Sequence, residues 1–333
     1  MSAPIVAPAI VVLGAGAFGT ALANQAARNG ARVILWARDK AHVDEMARTR
    51  ENARRLPGVK LAASVEPTSD LSTLREAQVV LAATPAQTLR DMARAAAPFS
   101  RENADWLICA KGIERGAHAF LSDIVAAELP GAIASVMSGP SFAEDIAAGL
   151  PTAITLASPD AERAERLGRL LDSPAFRLYR STDVRGAEIG GAAKNVLAIA
   201  CGIAAGRGLG ASAVAALTAR GFAELSRFGR AFGARPETLM GLSGLGDLVL
   251  SCSSLQSRNF AFGHALGRGA ALNEAAGGKL AEGAYTARAL VELAAERNVE
   301  MPICAVVDAI VSSQMSVDAA IESLLMRPTK SEA

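Results

Sequence analysis

Aromatic residues make up only 4% of the 333 residues, and charged residues make up 20%. The hydrophobic core must therefore be built mainly from Ala, Val, Leu and Ile. The formal net charge is only +1, and no cluster of basic residues with interleaved aromatics occurs. Because nucleic-acid-binding surfaces are usually strongly basic, the composition argues against that class of protein. At roughly 150 residues per domain, the length predicts two domains.

Cysteine is also scarce, and no two cysteines form a C-x-x-C pair. The four positions are Cys109, Cys201, Cys252 and Cys304. No His-rich segment accompanies them, so we expect neither a metal site nor a disulfide framework. Their isolated, mostly apolar surroundings predict reduced thiols in a cytoplasmic protein.

Charged side chains are absent from the first 27 residues. This segment lacks the basic start of a signal peptide, and Pro4, Pro8 and three glycines interrupt it, so we do not interpret it as one. No other charge-free apolar run approaches the roughly 20 residues that a membrane helix needs. The sequence therefore predicts a soluble protein without a membrane span.

Short apolar, often β-branched runs alternate with helical segments in the first half of the chain. Strands are predicted at 10–14, 32–36, 78–83, 106–110, 134–138, 153–158 and 176–181. This alternation is typical of an α/β fold with a mostly parallel sheet and helices on both faces. After about Asp183, helices are predicted at 184–205, 211–233, 258–268, 283–297, 302–312 and 316–326. We therefore predict an α/β domain at 1–183 and an all-helical domain at 184–333.

A glycine motif joins the first predicted strand to the first helix. Gly14, Gly16 and Gly19 form G-x-G-x-x-G in the strand–turn–helix setting that the motif requires. Such a loop lets the backbone approach a pyrophosphate, and the helix N-terminus supplies free N–H groups and partial positive charge. The motif predicts a doubly wound Rossmann sheet that binds a dinucleotide.

The tip of the second predicted strand leaves the choice between NADH and NADPH open. An acidic residue there would bind a ribose 2′-hydroxyl, but Ala37 and Arg38 occupy the tip and Asp39 follows. Arg38 can pair with a 2′-phosphate, which favours NADPH, although an exposed surface position also suits an arginine. Asp39 can instead cap the next helix.

The candidate acid/base groups are lysines and carboxylates. No H-E-x-x-H or G-x-S-x-G motif occurs, and His42, His118 and His264 are interpreted as surface or packing residues. Polar groups cluster instead at strand ends and loop–helix junctions, where doubly wound sheets bind ligands. These groups are Lys111, Ser138–Ser141, Lys194–Asn195, Asp247 after three glycines, and Ser257–Asn259.

Each of these groups also has a purely structural interpretation. Lys111 can cap a loop, Asp247 can N-cap a helix and Lys194 can extend to solvent. Arg258 can be a surface residue, but an arginine beside helix N–H groups also suits a phosphate. Together, the cationic and hydroxyl groups favour a site for a small anion.

Eight motifs follow one another along nearly the whole chain. They are GAGAFGTALA (14–23), NARRLPGVKL (52–61), CAKGIE (109–114), SGPSFAEDI (138–146), GAEIGGAAKNVLAIACG (186–202), GLGDLVLSCSS (244–254), SRNFAFG (257–263) and LAEG (280–283). In this order they resemble the bacterial NAD(P)-dependent glycerol-3-phosphate dehydrogenase family. Two departures are Ala17–Phe18, where the family often has Ser before an aromatic, and LAEG in place of VxEG.

The resemblance implies a role for each matching residue. Lys194 is the expected catalytic acid/base, with Asp247 orienting it. The implied substrate-binding residues are Lys111, Gly139, Ser141, Asn195, Asp247, Ser257, Arg258 and Asn259. The implied cofactor-binding residues are Gly14, Gly16, Ala17, Phe18, Gly19, Arg38, Lys111, Ala143, Arg258, Leu280 and Glu282, and no metal is expected.

The implied reaction is reduction of dihydroxyacetone phosphate to sn-glycerol 3-phosphate with NADPH or NADH, which supplies glycerophospholipid synthesis. A protonated lysine suits the growing negative charge on the carbonyl oxygen. Burial disfavours that ammonium and a carboxylate favours it, so the balance stays open. Two alternatives also stay open: a related β-hydroxyacid dehydrogenase, and a non-catalytic NAD(P)-binding sensor. Glycine- and alanine-rich helices can pack a subunit interface, which leaves a homodimer open.

Overall fold

The computed structural model describes residues 9–278 and 280–328. Its strands are β1 (Ala9–Leu13), β2 (Val33–Trp36), β3 (Val65–Thr68), β4 (Ala77–Ala82), β5 (Asp105–Ile108), β6 (Ile133–Ser138), β7 (Thr152–Ala157) and β8 (Phe176–Ser181). They form one sheet in the order β3-β2-β1-β4-β5-β6-β7-β8. Neighbouring strands are parallel except for β6 and β7, which are antiparallel. The predicted mostly parallel sheet is confirmed.

Both faces of the sheet are buried, as β1 illustrates. Ile10 and Val12 belong to one buried cluster, and Val11 and Leu13 belong to another. Successive side chains of a strand point to opposite faces, so the apolar run of β1 supplies both layers of core. Burial of each such side chain contributes about 1.5–3 kcal/mol.

Six helices accompany the sheet: α1 (Ala17–Arg28), α2 (Lys40–Thr49), α3 (Leu89–Ala96), α4 (Leu121–Glu128), α5 (Ala143–Ala147) and α6 (Ala161–Leu171). Short 3-10 turns at Leu71–Glu76 and Ala86–Thr88 precede β4 and α3. All seven predicted strands are present, with ends that differ by at most two residues. The prediction of β-structure at 109–110 was wrong, because β5 ends at Ile108.

The edge strand β3 was missed. Its four residues, VEPT, contain a proline, and their side chains alternate only weakly between buried and exposed. Proline cannot donate to a sheet ladder, so it is tolerated only on edge strands such as this one. Among the strands that the structure describes, β3 pairs only with β2, in parallel.

From Val184 onward, all of the elements that the structure describes are helical. They are α7 (Val184–Gly206), α8 (Ala211–Ala231), α9 (Pro236–Met240), α10 (Asp247–Cys252), α11 (Arg258–Gly267), α12 (Leu272–Ala276), α13 (Glu282–Glu296), α14 (Pro302–Val311) and α15 (Val317–Leu325), with a π-helical turn at Leu242–Gly246. The six predicted helices are confirmed to within two residues. The short helices α9 and α12 and the π-helical turn were missed, and a helix at α10 was considered only in the alternative in which Asp247 caps it.

The structure divides into two compact units. The first contains the described residues up to Lys111 together with Ala119–Glu188, and the second contains Gly112–His118 and the described residues from Ile189 onward. Helix α7 therefore begins in the first unit and continues in the second. The domain boundary between 183 and 184 stays a prediction.

Glycines let α7 pack backbone to backbone inside the second unit. A Cβ on Gly202 would lie 2.1 Å from the Phe260 carbonyl oxygen, and a Cβ on Gly263 would lie 2.1 Å from the Ile199 oxygen. Such distances are far inside van der Waals contact, so only glycine fits at these crossings of α7 and α11. Helix α7 is consequently the buried centre of the second unit.

Among the described residues, one helix, Val184–Gly206, is long and apolar enough to cross a membrane. However, 89% of its most apolar stretch is buried inside the protein. Core helices of soluble proteins satisfy the same criteria, so this helix is weak evidence for a membrane span. The four cysteines are also buried, and all of them are free thiols.

Candidate active site

The glycine loop between β1 and α1 has the shape that a pyrophosphate site needs. Gly14 adopts φ +113°, and a Cβ there would lie 2.9 Å from the Ala83 carbonyl oxygen. A Cβ on Gly19 would lie 2.0 Å from the Gly14 oxygen, whereas a Cβ on Gly16 would meet none of the described atoms within 4 Å. The first and third glycines thus allow tight packing, and the second leaves an open approach to the backbone.

The start of α1 adds electrostatic attraction to this open approach. Gly16 is the N-cap residue, and no side chain in the described part of the chain caps the helix. The first N–H groups of α1 are therefore left to bind an anion. Ala17 and Phe18 are half-buried and pack against the core cluster beneath the sheet. The residues around the loop fit a dinucleotide.

Asp39 is already engaged at the tip of β2. Its carboxylate accepts hydrogen bonds from Ala41 N at 3.0 Å and His42 N at 3.3 Å, and pairs with Arg54 at 3.1 Å. The hydrogen bond from His42 N is the largest cause that lowers the pKa of Asp39. Asp39 therefore caps α2, the alternative considered from the sequence. Arg38 is exposed and has no partner within residues 9–278 and 280–328.

A second polar group of the first unit follows β5 and β6. Lys111 Nζ donates to the Gly139 carbonyl oxygen at 2.9 Å, and Ser141 Oγ donates to the same oxygen at 3.2 Å. Gly139 has φ +154°, and a Cβ there would lie 2.8 Å from Ile154 Cα. Ala143 opens α5 just beyond this turn. The structure thus brings together Lys111, Gly139 and Ser141.

Two buried hydroxyl groups lie at the same carboxyl edge of the sheet. Thr84 Oγ1, just after β4, and Ser138 Oγ, at the end of β6, have no hydrogen-bond partner in the described part of the chain. Buried hydroxyl groups are normally satisfied, so an unpaired one suggests a missing ligand or water. Thr84 was not predicted, because no motif marks a single threonine after a strand.

The second unit contains a buried ion pair between two of the candidate residues. Lys194 Nζ lies 3.0 Å from Asp247 Oδ1 and donates to Ser251 Oγ at 2.8 Å. The Lys194 side chain is 11% exposed, and the Asp247 side chain is 2% exposed. Ser251 Oγ in turn donates to Asp247 Oδ1 at 3.4 Å. Lys194 is therefore held inside the fold and does not extend to solvent.

Local backbone structure explains how these three side chains meet. Lys194 lies on α7, and a Cβ on Gly190, one turn earlier, would lie 2.3 Å from the Ser243 carbonyl oxygen. This close approach places the π-helical turn against α7. Asp247 is the first residue of α10 and Gly246 is the N-cap, so the alternative in which Asp247 caps this helix is wrong. Ser251 follows one turn later, on the same face as Asp247.

Two amides beside this group join three helices of the second unit. Asn259 Nδ2 donates to Asn195 Oδ1 at 2.9 Å, and Asn259 Oδ1 accepts from Gly283 N at 2.8 Å. Both asparagines are buried. The contacts tie α7 to α11 and to the first turn of α13, where Glu282 is the first helical residue and Leu280 precedes it.

The start of α11 offers a cation next to free helix N–H groups. Ser257 is the N-cap residue, and its Oγ accepts from Phe260 N at 3.4 Å. Arg258 is the first helical residue; its side chain is exposed and makes no hydrogen bond or ion pair with any residue that the structure describes. A guanidinium at a helix N-terminus is suited to bind a phosphate.

Ser251 was not predicted as a site residue, although its distance from Asp247 in the sequence could have indicated it. It stands four residues after Asp247, which places both side chains on one helix face. That signal needs α10 to be recognised as a helix. The preceding glycines predicted a loop instead.

Comparison with known proteins agrees with this geometry. The family model described as the NAD-dependent glycerol-3-phosphate dehydrogenase N-terminus matches residues 9–164, and that of the C-terminus matches residues 183–322. A glycerol-3-phosphate dehydrogenase [NAD(P)+] of Azorhizobium caulinodans is 61% identical over 97% of this chain and 98% of its own length. The corresponding protein of Methylobacterium radiotolerans is 57% identical over the same shares.

Two solved structures have the same fold as this chain. The crystal structure of glycerol-3-phosphate dehydrogenase from Coxiella burnetii superposes with a TM-score of 0.92 at 38% identity, covering 96% of this chain and 99% of that one. A D-mandelate dehydrogenase with NADH superposes with a TM-score of 0.63 at 14% identity, which shows a shared fold alone. The chain belongs to the NAD-dependent glycerol-3-phosphate dehydrogenase family.

Proposed function

We propose that Lys194 is the proton donor of this enzyme, which reduces dihydroxyacetone phosphate to sn-glycerol 3-phosphate with NADPH or NADH. When bound, the reduced nicotinamide supplies the hydride that adds to the C2 carbonyl. Negative charge then grows on the carbonyl oxygen, where the Lys194 ammonium stabilises it and transfers a proton. The product supplies glycerophospholipid synthesis.

The hydrogen bonds of Lys194 support this role. An ammonium has three N–H donors. Among the described residues, Ser251 accepts a hydrogen bond from Nζ and Asp247 forms an ion pair with it, so an N–H donor remains for a substrate oxygen. The carboxylate of Asp247 offsets the desolvation of the ammonium and fixes its direction. Ser251 holds the same nitrogen from a second side.

Phosphate recognition is assigned to the start of α11. Arg258 has a guanidinium without a protein partner in the described part of the chain, and Ser257 adds a hydroxyl beside the N–H groups of the helix. Asn195 and Asn259, whose side chains are hydrogen-bonded to each other, are proposed to bind the hydroxyl groups of the substrate. Lys111, Gly139 and Ser141 are assigned to substrate in the first unit.

The dinucleotide is assigned to the glycine loop and the tip of β2. Gly14, Gly16, Ala17, Phe18 and Gly19 would hold the pyrophosphate. The remaining proposed cofactor contacts are Arg38, Lys111, Ala143, Arg258, Leu280 and Glu282. Since Asp39 is committed to α2 and Arg54, it is poorly placed to bind a ribose 2′-hydroxyl, whereas Arg38 can bind a 2′-phosphate. We therefore propose a preference for NADPH.

We also propose that the enzyme acts in the cytoplasm as a homodimer. Support for the dimer comes from an apolar groove in the second unit between α8, α14 and α15, where Leu209 and Leu325 are 45% and 79% exposed. Exposed apolar patches often mark subunit interfaces. A monomeric mass by light scattering at micromolar concentration would contradict the dimer.

The observation that carries the proposed chemistry is the buried Lys194–Asp247–Ser251 group. Its test is the absorbance change at 340 nm when NADPH or NADH is mixed with dihydroxyacetone phosphate. β-Hydroxyacid substrates of similar size, assayed in the reverse direction, are the comparison. Turnover of hydroxyacids alone would favour the second enzyme class, and cofactor binding without any turnover would favour a sensor.

A further inference from the structure

The NARRLPGVKL segment contains a buried amide that the proposed site does not use. Asn52 is 0% exposed, and His42, on α2, is 8% exposed. Their side chains meet, with His42 Nε2 lying 2.8 Å from Asn52 Oδ1. Packing alone does not explain this buried polar pair, because two apolar side chains would fill the same volume without the free-energy cost of desolvating polar groups.

The amide of Asn52 faces the glycine loop. Its Nδ2 donates to the Ala15 carbonyl oxygen at 3.0 Å and to Thr20 Oγ1 at 2.7 Å. Thr20 Oγ1 then donates to the Gly16 carbonyl oxygen at 2.8 Å. The chain of donors therefore runs from His42 through Asn52 and Thr20, and it ends on two successive carbonyl groups of the loop.

The direction of this chain follows from its acceptors. If the Asn52 amide were reversed, its oxygen would face the Ala15 oxygen, and two acceptors would be in contact. The amide nitrogen must therefore face the loop, and Asn52 Oδ1 must accept from His42. This requires His42 Nε2 to carry a proton.

Peptide geometry links these carbonyl groups to the cofactor side of the loop. In a planar trans peptide the C=O and the following N–H point in opposite directions. Holding the Ala15 and Gly16 oxygens toward Asn52 and Thr20 therefore turns the N–H groups of Gly16 and Ala17 the other way. Within the described residues, neither N–H donates to a protein acceptor.

We infer that Asn52 and His42 are positioning residues that aim the Gly16 and Ala17 N–H groups at the dinucleotide pyrophosphate. The inference rests on the proposed cofactor site. It also connects two parts of that site, because His42 lies in the first turn of α2, three residues after Asp39.

The test is direct binding of NADPH to the full-length protein, followed by nicotinamide fluorescence. Asn52→Leu and His42→Leu should raise the Kd for NADPH by about tenfold, since each leaves a buried polar partner unsatisfied. The KM for NADPH should rise with it, while kcat at saturating NADPH and the KM for dihydroxyacetone phosphate should change less than about twofold. His42→Gln, which can place an N–H near the position of Nε2, should restore the wild-type Kd.

Asn24 provides a matched control on α1. Its amide is also buried, donates to the Lys60 oxygen at 2.9 Å and accepts from Ala62 N at 2.9 Å. It therefore ties α1 to the same segment as Asn52 without touching the loop. Asn24→Leu should lower the melting temperature and leave the Kd for NADPH unchanged.

Two results would overturn the inference. One is a wild-type Kd for NADPH in Asn52→Leu and His42→Leu, with a loss of stability like that of Asn24→Leu. This result would contradict the positioning role and leave the proposed function unaffected. The other is failure of His42→Gln to restore binding. If the wild-type protein itself bound no NADPH, the cofactor assignment and the inference would both fall.

Discussion

Lys194 Nζ lies 3.0 Å from Asp247 Oδ1, and both side chains are almost completely withdrawn from solvent. A buried ammonium is costly unless a carboxylate and hydrogen bonds offset its desolvation. Asp247 and Ser251 provide both. Because removal of one member of a buried pair leaves the other uncompensated, Lys194 and Asp247 should respond to substitution very differently from exposed charges.

Lys194→Ala should lower kcat by at least about 10²-fold, because it removes the group that protonates the carbonyl oxygen. The Kd for NADPH should stay within about twofold of wild type, since Lys194 is not assigned to the cofactor. Stopped-flow turnover and fluorescence titration measure the two quantities separately. Equal losses in turnover and NADPH affinity would indicate a folding defect instead of lost chemistry.

Ser251→Ala should lower kcat by about tenfold, because the ammonium loses one buried hydrogen bond that fixes its direction. Ser251→Thr keeps the hydroxyl group and should keep most of the activity. The comparison of these two variants by initial rates at saturating substrates separates hydrogen bonding from packing. Equal activity of Ser251→Ala and wild type would remove Ser251 from the catalytic group.

Arg258→Ala should raise the KM for dihydroxyacetone phosphate by roughly 30- to 150-fold, as expected for loss of a charge-assisted hydrogen bond worth about 2–3 kcal/mol. If unphosphorylated dihydroxyacetone is turned over, its rate at saturating NADPH should change little, because that substrate has no phosphate for Arg258 to bind. Arg268→Ala, at the other end of α11, is an exposed-arginine control. A normal KM in Arg258→Ala would contradict the phosphate role.

Oxidation of glycerol 3-phosphate should accelerate toward alkaline pH more than reduction does. The reverse reaction needs Lys194 as a neutral amine that accepts the hydroxyl proton, whereas the forward reaction needs the ammonium. Profiles of kcat/KM against pH in both directions measure the difference. A flat oxidation profile from neutral to alkaline pH would argue against Lys194 as the base.

The sheet and the long helices could be predicted because local sequence patterns are enough to indicate each strand or helix. The apolar run of β1 is followed by a glycine turn, and the segment that forms α7 is long and rich in alanine, the strongest helix former. By contrast, α10 follows GLSGLG, whose glycines favour a loop in isolation. Tertiary packing against Gly190 overrides that preference and winds the segment into a π-helical turn.

Which residues meet in the candidate site could not be predicted from local sequence patterns, because the contacts join residues that are far apart in the sequence. Lys194 and Asp247 are 53 residues apart in sequence, and only the resemblance to a family paired them. Ser251 and Asn52 lie within two of the quoted motifs, but neither motif assigns them a role, and Thr84 and His42 lie outside all eight motifs. His42 in particular was interpreted as a surface or packing residue; it is buried, but its ring also makes a specific hydrogen bond.

Two buried glutamates should give the folded state an unusual pH dependence. Glu224, on α8, accepts from Ile303 N and Cys304 N at the start of α14, and Glu188 accepts from Ser122 N and Oγ at the start of α4. Burial is the main cause that raises the pKa of each carboxyl group from 4.5 to about 7. Between these pH values the folded state therefore binds more protons than the unfolded state.

It follows that each glutamate contributes stability that is fully present below pH 4.5 and is lost as pH rises through about 7. The contribution lost is on the order of 3 kcal/mol for each group. Glu224→Gln should flatten the fall in the free energy of unfolding over this range, as measured by urea denaturation at a series of pH values. Glu237→Gln, an exposed substitution on α9, should keep the wild-type slope. If Glu224→Gln also kept that slope, Glu224 would titrate below this range and would be ionised in the folded protein at neutral pH.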